Sequence, residues 1–135
     1  MILNLLDSNV WFYAFVDSQD LAKHLIAKDL IAGQGVLVAQ QTIGEVCNSL
    51  LRKTRLGESE LRSIVRSFYR HYQPIPLEED DYLLASELRQ KHKFSHWDSL
   101  LVAVAVRSGA TRLYSEDMHN GLVVEGTTTI RNPFA

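Results

Sequence analysis

The stretch SHWDSLLVAVAVRSGATRLYSED, Ser95 to Asp117, carries the logic of the fold. Ser95 and Asp98 match a capping box, a hydroxyl cap with an acid three residues on, so a helix opens there. The segment Ser99 to Val106 that follows is apolar nearly all round, which places this helix inside a core rather than on its surface. Gly109 ends it. Thr111 to Tyr114 then reads as a short buried strand, followed by the polar turn SEDMHNG. A buried helix that feeds a buried strand belongs to a strand–helix–strand architecture. Acids mark both ends of the segment: Asp98 in the first helical turn, and Glu116 and Asp117 just past the strand.

The same alternation runs upstream. Ile2 to Leu6 reads as a strand, ended by Asp7-Ser8-Asn9, which are turn and cap residues. Helical spacing follows over Val10 to Phe15 and Leu21 to Ile31, and after Gly33 and Gly35 comes a second short strand, Val36 to Ala39. Thr42 to Arg52 returns to helical rhythm, and Glu58 to Tyr72 is the cleanest amphipathic helix, with Leu61, Ile64, Val65, Phe68, Tyr69 and Tyr72 on one stripe. Ile75, between Pro74 and Pro76, is expected to form a third strand, short or near an edge. Glu79 to His92 reads as a further helix, and Leu122 to Ile130 holds a weaker strand signal. The expectation is an α/β chain: a three-layer α/β/α sandwich around a parallel sheet of four to five strands, residues 1–135 forming one domain.

Composition narrows the function. The chain has 135 residues, enough to bury a real core. Its formal net charge of −2 gives no bulk attraction to nucleic acid, so an RNA or DNA partner would need a local basic patch or bound cations. The single cysteine, Cys47, excludes an internal disulfide, suits a reducing cytoplasm and reads as a buried inert thiol. The first residues carry no basic n-region, so no signal peptide is expected. The apolar run Leu100 to Val106 is too short to span a bilayer, so no membrane partner is expected. There is no glycine-rich phosphate loop, so phosphate binding would have to pass through metal.

In parallel sheets, ligands sit beyond the carboxyl ends of the strands. Asp7 falls there after the first strand, Glu45 one turn into the helix after the second, Asp98 at the start of the buried helix, and Asp117 beside Glu116 after the strand at Thr111 to Tyr114. Singly, each has a plain structural reading. Asp7 serves as a helix cap, Asp98 as the acid of a capping box, Glu45 as a solvated helix residue and Asp117 as turn chemistry. Jointly, four carboxylates at one edge would repel one another, and a hard divalent cation such as Mg²⁺ or Mn²⁺ resolves the conflict while leaving positions for phosphate oxygens.

At these residues the chain resembles the PIN-domain nucleases, most closely the VapC-type toxins of bacterial toxin–antitoxin pairs. The resemblance spans essentially the whole chain. LLDSNVWFYAF resembles the family's opening block, QQTIGEVCNSLLRK its second, and Ser95 to Asp117 its third and fourth. No block is specific by itself; the four in this order and spacing are. The resemblance implies that Asp7, Glu45, Asp98 and Asp117 are catalytic metal ligands. It implies that Asn9 steadies Asp7 and that Ser115 bonds a carboxylate or a water. Family members vary at the last acid, and Glu116 is the alternative to Asp117. The implied chemistry is Mg²⁺- or Mn²⁺-dependent hydrolysis of an RNA phosphodiester, with a cognate antitoxin and a homodimer as partners.

Other groups compete for attention. His92 and His96 stand four apart, but Lys93-Phe94-Ser95 breaks the helix between them, and a zinc site lacks further ligands. His119 lies in the acid-bearing turn and is a weak candidate for substrate contact. Arg62, Arg66 and Arg70 make a basic stripe, preceded by Arg52, Lys53 and Arg55, read equally as an RNA- or antitoxin-binding surface or as a solvated flank. Trp11, Phe12, Tyr13 and Trp97 offer base stacking or core packing. A receiver-like domain would need a lysine after the last strand, and none follows Lys93; an aspartate-nucleophile phosphatase would need Asp where Asn9 stands. A non-catalytic PIN-like binding module would keep the fold and lose an acid, yet all four positions are filled.

Overall fold

The computed structural model describes residues 1–135. The elements are β1 (Asn4–Leu6), α1 (Ser8–Phe15), α2 (Leu21–Ala32), β2 (Val36–Leu37), α3 (Gln40–Lys53), α4 (Glu58–His71), α5 (Glu79–Lys91), α6 (His96–Arg107), β3 (Arg112–Tyr114), β4 (Val123–Val124) and β5 (Thr128–Arg131). The sheet order is β2-β1-β3-β5-β4. β1 pairs in parallel with both β2 and β3, with Leu5 opposite Leu37 and Leu113. β3 pairs in parallel with β5, and β4 closes the far edge antiparallel to β5.

Alternate strand residues feed opposite cores, as the two-residue strand period demands. Leu5 and Leu113 join a cluster with α5 and α6, where every residue from Leu100 to Ala105 is buried. Leu6 and Tyr114 face the other side, against Val10, Trp11, Phe12, Val46, Leu50 and Phe68 of α1, α3 and α4. Two apolar cores flanking one sheet are the three-layer α/β/α sandwich expected from the sequence. Trp11 seals the second core, its ring edge-on to Phe68 at 4.9 Å and to Tyr72 at 5.5 Å.

Two expectations needed revision. Ile75 is not a strand but a single parallel bridge to Ala39, beyond β2. It uses both of its backbone groups, accepting from Gln40 N–H and donating to the Val38 carbonyl, each at 2.9 Å. The prolines on either side constrain the chain and lack donors, so the ladder stops at one residue. The weak signal over Leu122 to Ile130 resolves into the β4–β5 hairpin, which makes the sheet parallel except at this edge. Its turn places Glu125 and Gly126 at φ 50° and 67°, and Thr127 N–H closes on the Val124 carbonyl at 3.1 Å. Positive φ at both central residues is the tight hairpin geometry matched to strand twist.

Helix α6 is tied to α5 at its far end. Arg107 donates through Nε and Nη2 to the Asp81 carboxylate at 2.7 and 2.9 Å and through Nη2 to the Pro76 carbonyl at 2.8 Å. Asp81 is buried, yet paired and hydrogen-bonded, as a buried charge must be. No helix is long and apolar enough to cross a membrane.

Candidate active site

The carboxyl ends of β1 and β3 and the N-terminal turns of α3 and α6 converge on one side of the sheet. There a cavity of about 310 Å³ is lined by Asp7, Asn9, Glu45, Ser49, Lys53, Asp98, Glu116 and Asp117, with Ser8, Phe12 and Tyr13 completing the wall. All four acids of the expected quartet are on it.

Asp7 answers to both of its readings. It caps α1, accepting from Ser8 N–H through Oδ1 at 2.7 Å, and its Oδ2 accepts from the Ser115 hydroxyl at 2.7 Å. Its backbone N–H donates to the Tyr114 carbonyl at 2.9 Å, extending the β1–β3 ladder to the acid itself. The residue is only 7% exposed. Ser115, fully buried, also accepts from Asp117 N–H at 3.3 Å and from the Asn9 amide at 3.5 Å. Asn9 was expected to steady Asp7 from behind it. It reaches Asp7 through Ser115, and it also holds the Ser115–Asp117 turn, its amide donating to Asp117 Oδ2 at 3.4 Å and its Oδ1 accepting from Glu116 N–H at 3.3 Å.

Asp98 forms half of a capping box. Its N–H donates to Ser95 Oγ at 3.1 Å, while its carboxylate lines the cavity. Glu45 stands one turn after Gln41, whose amide donates to the Trp97 carbonyl at 3.3 Å and so joins the first turns of α3 and α6. Oε1 of Glu45 is buried without a hydrogen-bond partner.

The electrostatics tie these groups into one unit. Burial raises the Asp7 pKa, the bonds from Ser115 and Ser8 oppose this, and the charges of Asp98 and Asp117 add to it. Burial pushes Glu45 up to about 7, with the Asp7 charge next and that of Asp98 adding to it, while a Gln41 bond pulls the other way. Asp98 is raised by burial and by Asp117, against a bond with Ser95. No lysine or arginine forms an ion pair with any of the four. Glu116 differs, because it pairs with Lys23 of α2. Lys23 also faces the rings of Tyr13 and Phe134 at 5.0 and 5.5 Å.

The donor set fits a hard divalent cation: carboxylate oxygens only, one of them orphaned, with mutual repulsion that a cation would relieve. No three of the acids already stand as a tight coordination cluster. They share the cavity wall at a looser spacing.

The remaining sequence candidates lie elsewhere. Arg62, Arg66 and Arg70 are exposed on α4, where Arg62 and Arg66 flank a shallow groove with Leu61 and Val65, away from the acids. His119 turns off the cavity onto Phe94, centroids 5.5 Å apart, with Nε2 3.3 Å from the Lys93 carbonyl. His92 follows α5 and His96 begins α6, as the break between them required. Trp11 and Phe12 are core residues, whereas Trp97 is 58% exposed. Cys47 is half-buried and burial raises its thiol pKa. Ser49, Gln41 and Lys23 were not singled out from the sequence, and Lys53 only as part of the basic surface, not as a residue of this cavity. The signal for two of them was present: Glu45, Ser49 and Lys53 recur at four-residue steps, which puts them on one face of α3.

Comparison with known proteins agrees with this architecture. The family model of the PIN domain matches residues 5–119, and the chain belongs to that family. Among solved structures, a chain of a toxin–antitoxin complex from Klebsiella pneumoniae is similar at 17% identity and a TM-score of 0.67, covering 96% of this chain and 97% of that one. VapC20 of Mycobacterium tuberculosis, a Sarcin-Ricin loop cleaving toxin, is similar at 22% identity and 0.67, covering 82% and 86%. VapBC2 of Rickettsia felis, bound to a DNA fragment from its promoter, is similar at 15% identity and 0.63, covering 86% and 88%. At these identities the likeness is one of fold. No curated protein matches the chain.

Proposed function

We propose that this chain is a Mg²⁺- or Mn²⁺-dependent endoribonuclease, the toxin of a toxin–antitoxin pair. The observation that carries the reading is the cavity itself. Four carboxylates from four separate chain segments line it, burial and neighbouring charge raise the pKa of Asp7, Glu45 and Asp98, and none of the four is held in an ion pair. A fold does not accumulate that repulsion for packing, and a binding module would have no use for it.

In this reading Asp7, Glu45, Asp98 and Asp117 hold the cation. When bound, it supplies Lewis-acid polarisation of the phosphate and activation of water. Ser115 fixes the Asp7 carboxylate, and Asn9 fixes the turn that presents Asp117. Lys23 draws Glu116 into an ion pair, which favours Asp117 over Glu116 as the fourth ligand. RNA as substrate and an antitoxin partner are supported by the family membership and by the kind of protein that shares the fold; a homodimer and a cytoplasmic setting complete the proposal. The antitoxin would find an apolar groove beside the site, where Phe15, Val16, Leu50, Leu56 and Ile64 line a cavity of about 320 Å³.

The test is cleavage of a mixed pool of structured RNAs by partner-free protein, with Mg²⁺, Mn²⁺ or chelator, beside Asp98→Asn. Metal-dependent cleavage by the wild type, lost in a folded Asp98→Asn, is expected. No cleavage with either metal, together with no Mn²⁺ binding, would overturn the nuclease in favour of a non-catalytic PIN-like binding module.

A further inference from the structure

We infer that Lys53 is a substrate-positioning residue that binds a backbone phosphate flanking the scissile one. The inference rests on the nuclease reading of the same cavity and adds to it the group that holds RNA there.

Lys53 is the one lysine or arginine on the cavity wall, and Lys23 reaches that wall through its ion pair with Glu116. Lys23 is committed to Glu116 and boxed by two aromatic rings. Lys53 lines the cavity and has no acidic partner within ion-pair distance. Its ammonium sits 5.2 Å from the centroid of Phe12, a buried ring that is itself part of the cavity wall. That contact steers the side chain over the ring and leaves the charge without a counter-ion.

Position on α3 decides which phosphate it meets. Glu45, Ser49 and Lys53 share one helix face and all line the cavity. Eight residues of helix separate Glu45 from Lys53, about 12 Å along the axis. If the acids hold a cation at the scissile phosphate, Lys53, about two helical turns further along α3 on the same wall, would be placed to meet the backbone phosphate beside it. Ser49, between them, presents a hydroxyl on the same path. An acidic cavity in a protein of net charge −2 repels RNA over most of its wall, so an unpaired ammonium on that wall has a clear electrostatic use.

The test measures binding rather than turnover. In an Asp98→Asn background with chelator, a fluorescein-labelled single-stranded oligoribonucleotide of mixed sequence is titrated by anisotropy across monovalent salt. Lys53→Met keeps the aliphatic stem against Phe12 and removes the charge. It should weaken binding about three- to tenfold at low salt and make the log–log salt slope shallower by about 0.7, the value for one single-strand phosphate contact. Lys53→Arg should restore both. A purely structural role would leave the slope alone. Equal affinity and slope in Lys53→Met and its parent would overturn the inference.

The two proposals fail separately. Lys53-dependent RNA binding by a wild type that neither cleaves RNA with either metal nor binds Mn²⁺ would remove the nuclease and keep Lys53 as an RNA contact. Metal-dependent cleavage with binding indifferent to Lys53 would do the reverse. No RNA binding by any form would overturn both.

Discussion

Replacing Glu45 by Gln should stabilise the cation-free protein near neutral pH, although it removes a proposed ligand. Glu45 titrates in the fold at about 7, against an ordinary 4.5, because it is partly buried and faces Asp7 and Asp98. The folded state therefore binds this proton more tightly than the unfolded state. The stability it confers is fully present below pH 4.5 and is lost as pH rises through about 7. A shift of this size amounts to about 3 kcal/mol at 1.36 kcal/mol per unit; solvent screening of a half-exposed carboxyl reduces it to about 1–2 kcal/mol. Asp7 and Asp98 are raised as well and act in the same sense. Urea denaturation in chelator is the assay. With a slope of roughly 2 kcal/mol per molar, the Glu45→Gln midpoint should lie about 0.5–1 M above wild type near pH 8, and the two should converge near pH 4. Added Mn²⁺ should stabilise wild type near pH 8 by about 2.7 kcal/mol at a hundredfold excess over Kd, and the variant by much less. A wild type whose stability is flat across this window, or a Glu45→Gln less stable than wild type near pH 8 in chelator, would refute the repulsion argument.

Other outcomes follow from the same geometry. Ser115→Ala removes the hydroxyl that donates to the buried Asp7 carboxylate, and should cost about 1.5–3 kcal/mol near neutral pH by urea denaturation. Asp117→Asn should lower cleavage at least about a hundredfold, whereas Glu116→Gln, which loses only its pairing with Lys23, should stay within about tenfold of wild type in the RNA assay. Asp81→Asn removes the buried partner of Arg107 at the far end of α6, leaving only Glu78 beside the guanidinium, and should cost about 1.5–3 kcal/mol of stability, while kcat per folded molecule is unchanged because the clamp touches no cavity residue.

The stretch from Ser95 to Asp117 was legible because hydrophobicity, capping and turn chemistry all agreed there. The helix runs from His96 to Arg107 and the strand from Arg112 to Tyr114, within a residue or so of the pattern. The quartet was legible for a topological reason: parallel strands and their return helices bring four distant acids to one edge. Less was readable at Ile75, where flanking prolines reduce a strand to one bridge, and at Leu122 to Ile130, where a Glu-Gly turn hides a hairpin that Asn-Gly would have announced. The bonds of Asn9 to Asp117 and to the Glu116 N–H were not readable, because which of several nearby polar groups an amide meets depends on loop geometry rather than on spacing. Lys53 was visible only as one of several basic residues; that it alone among the lysines and arginines lines the acid-bearing cavity, without an ion pair, is a fact of three dimensions.

The central claim is that the four carboxylates form one cation site. Calorimetric titration of partner-free protein with Mn²⁺ near pH 8 tests it most directly, run beside folded Asp98→Asn and Glu45→Gln. Saturable binding to wild type, weakened at least about tenfold in each variant, is the expected result. Absence of binding to wild type at millimolar Mn²⁺, or binding that neither substitution changes, would contradict it.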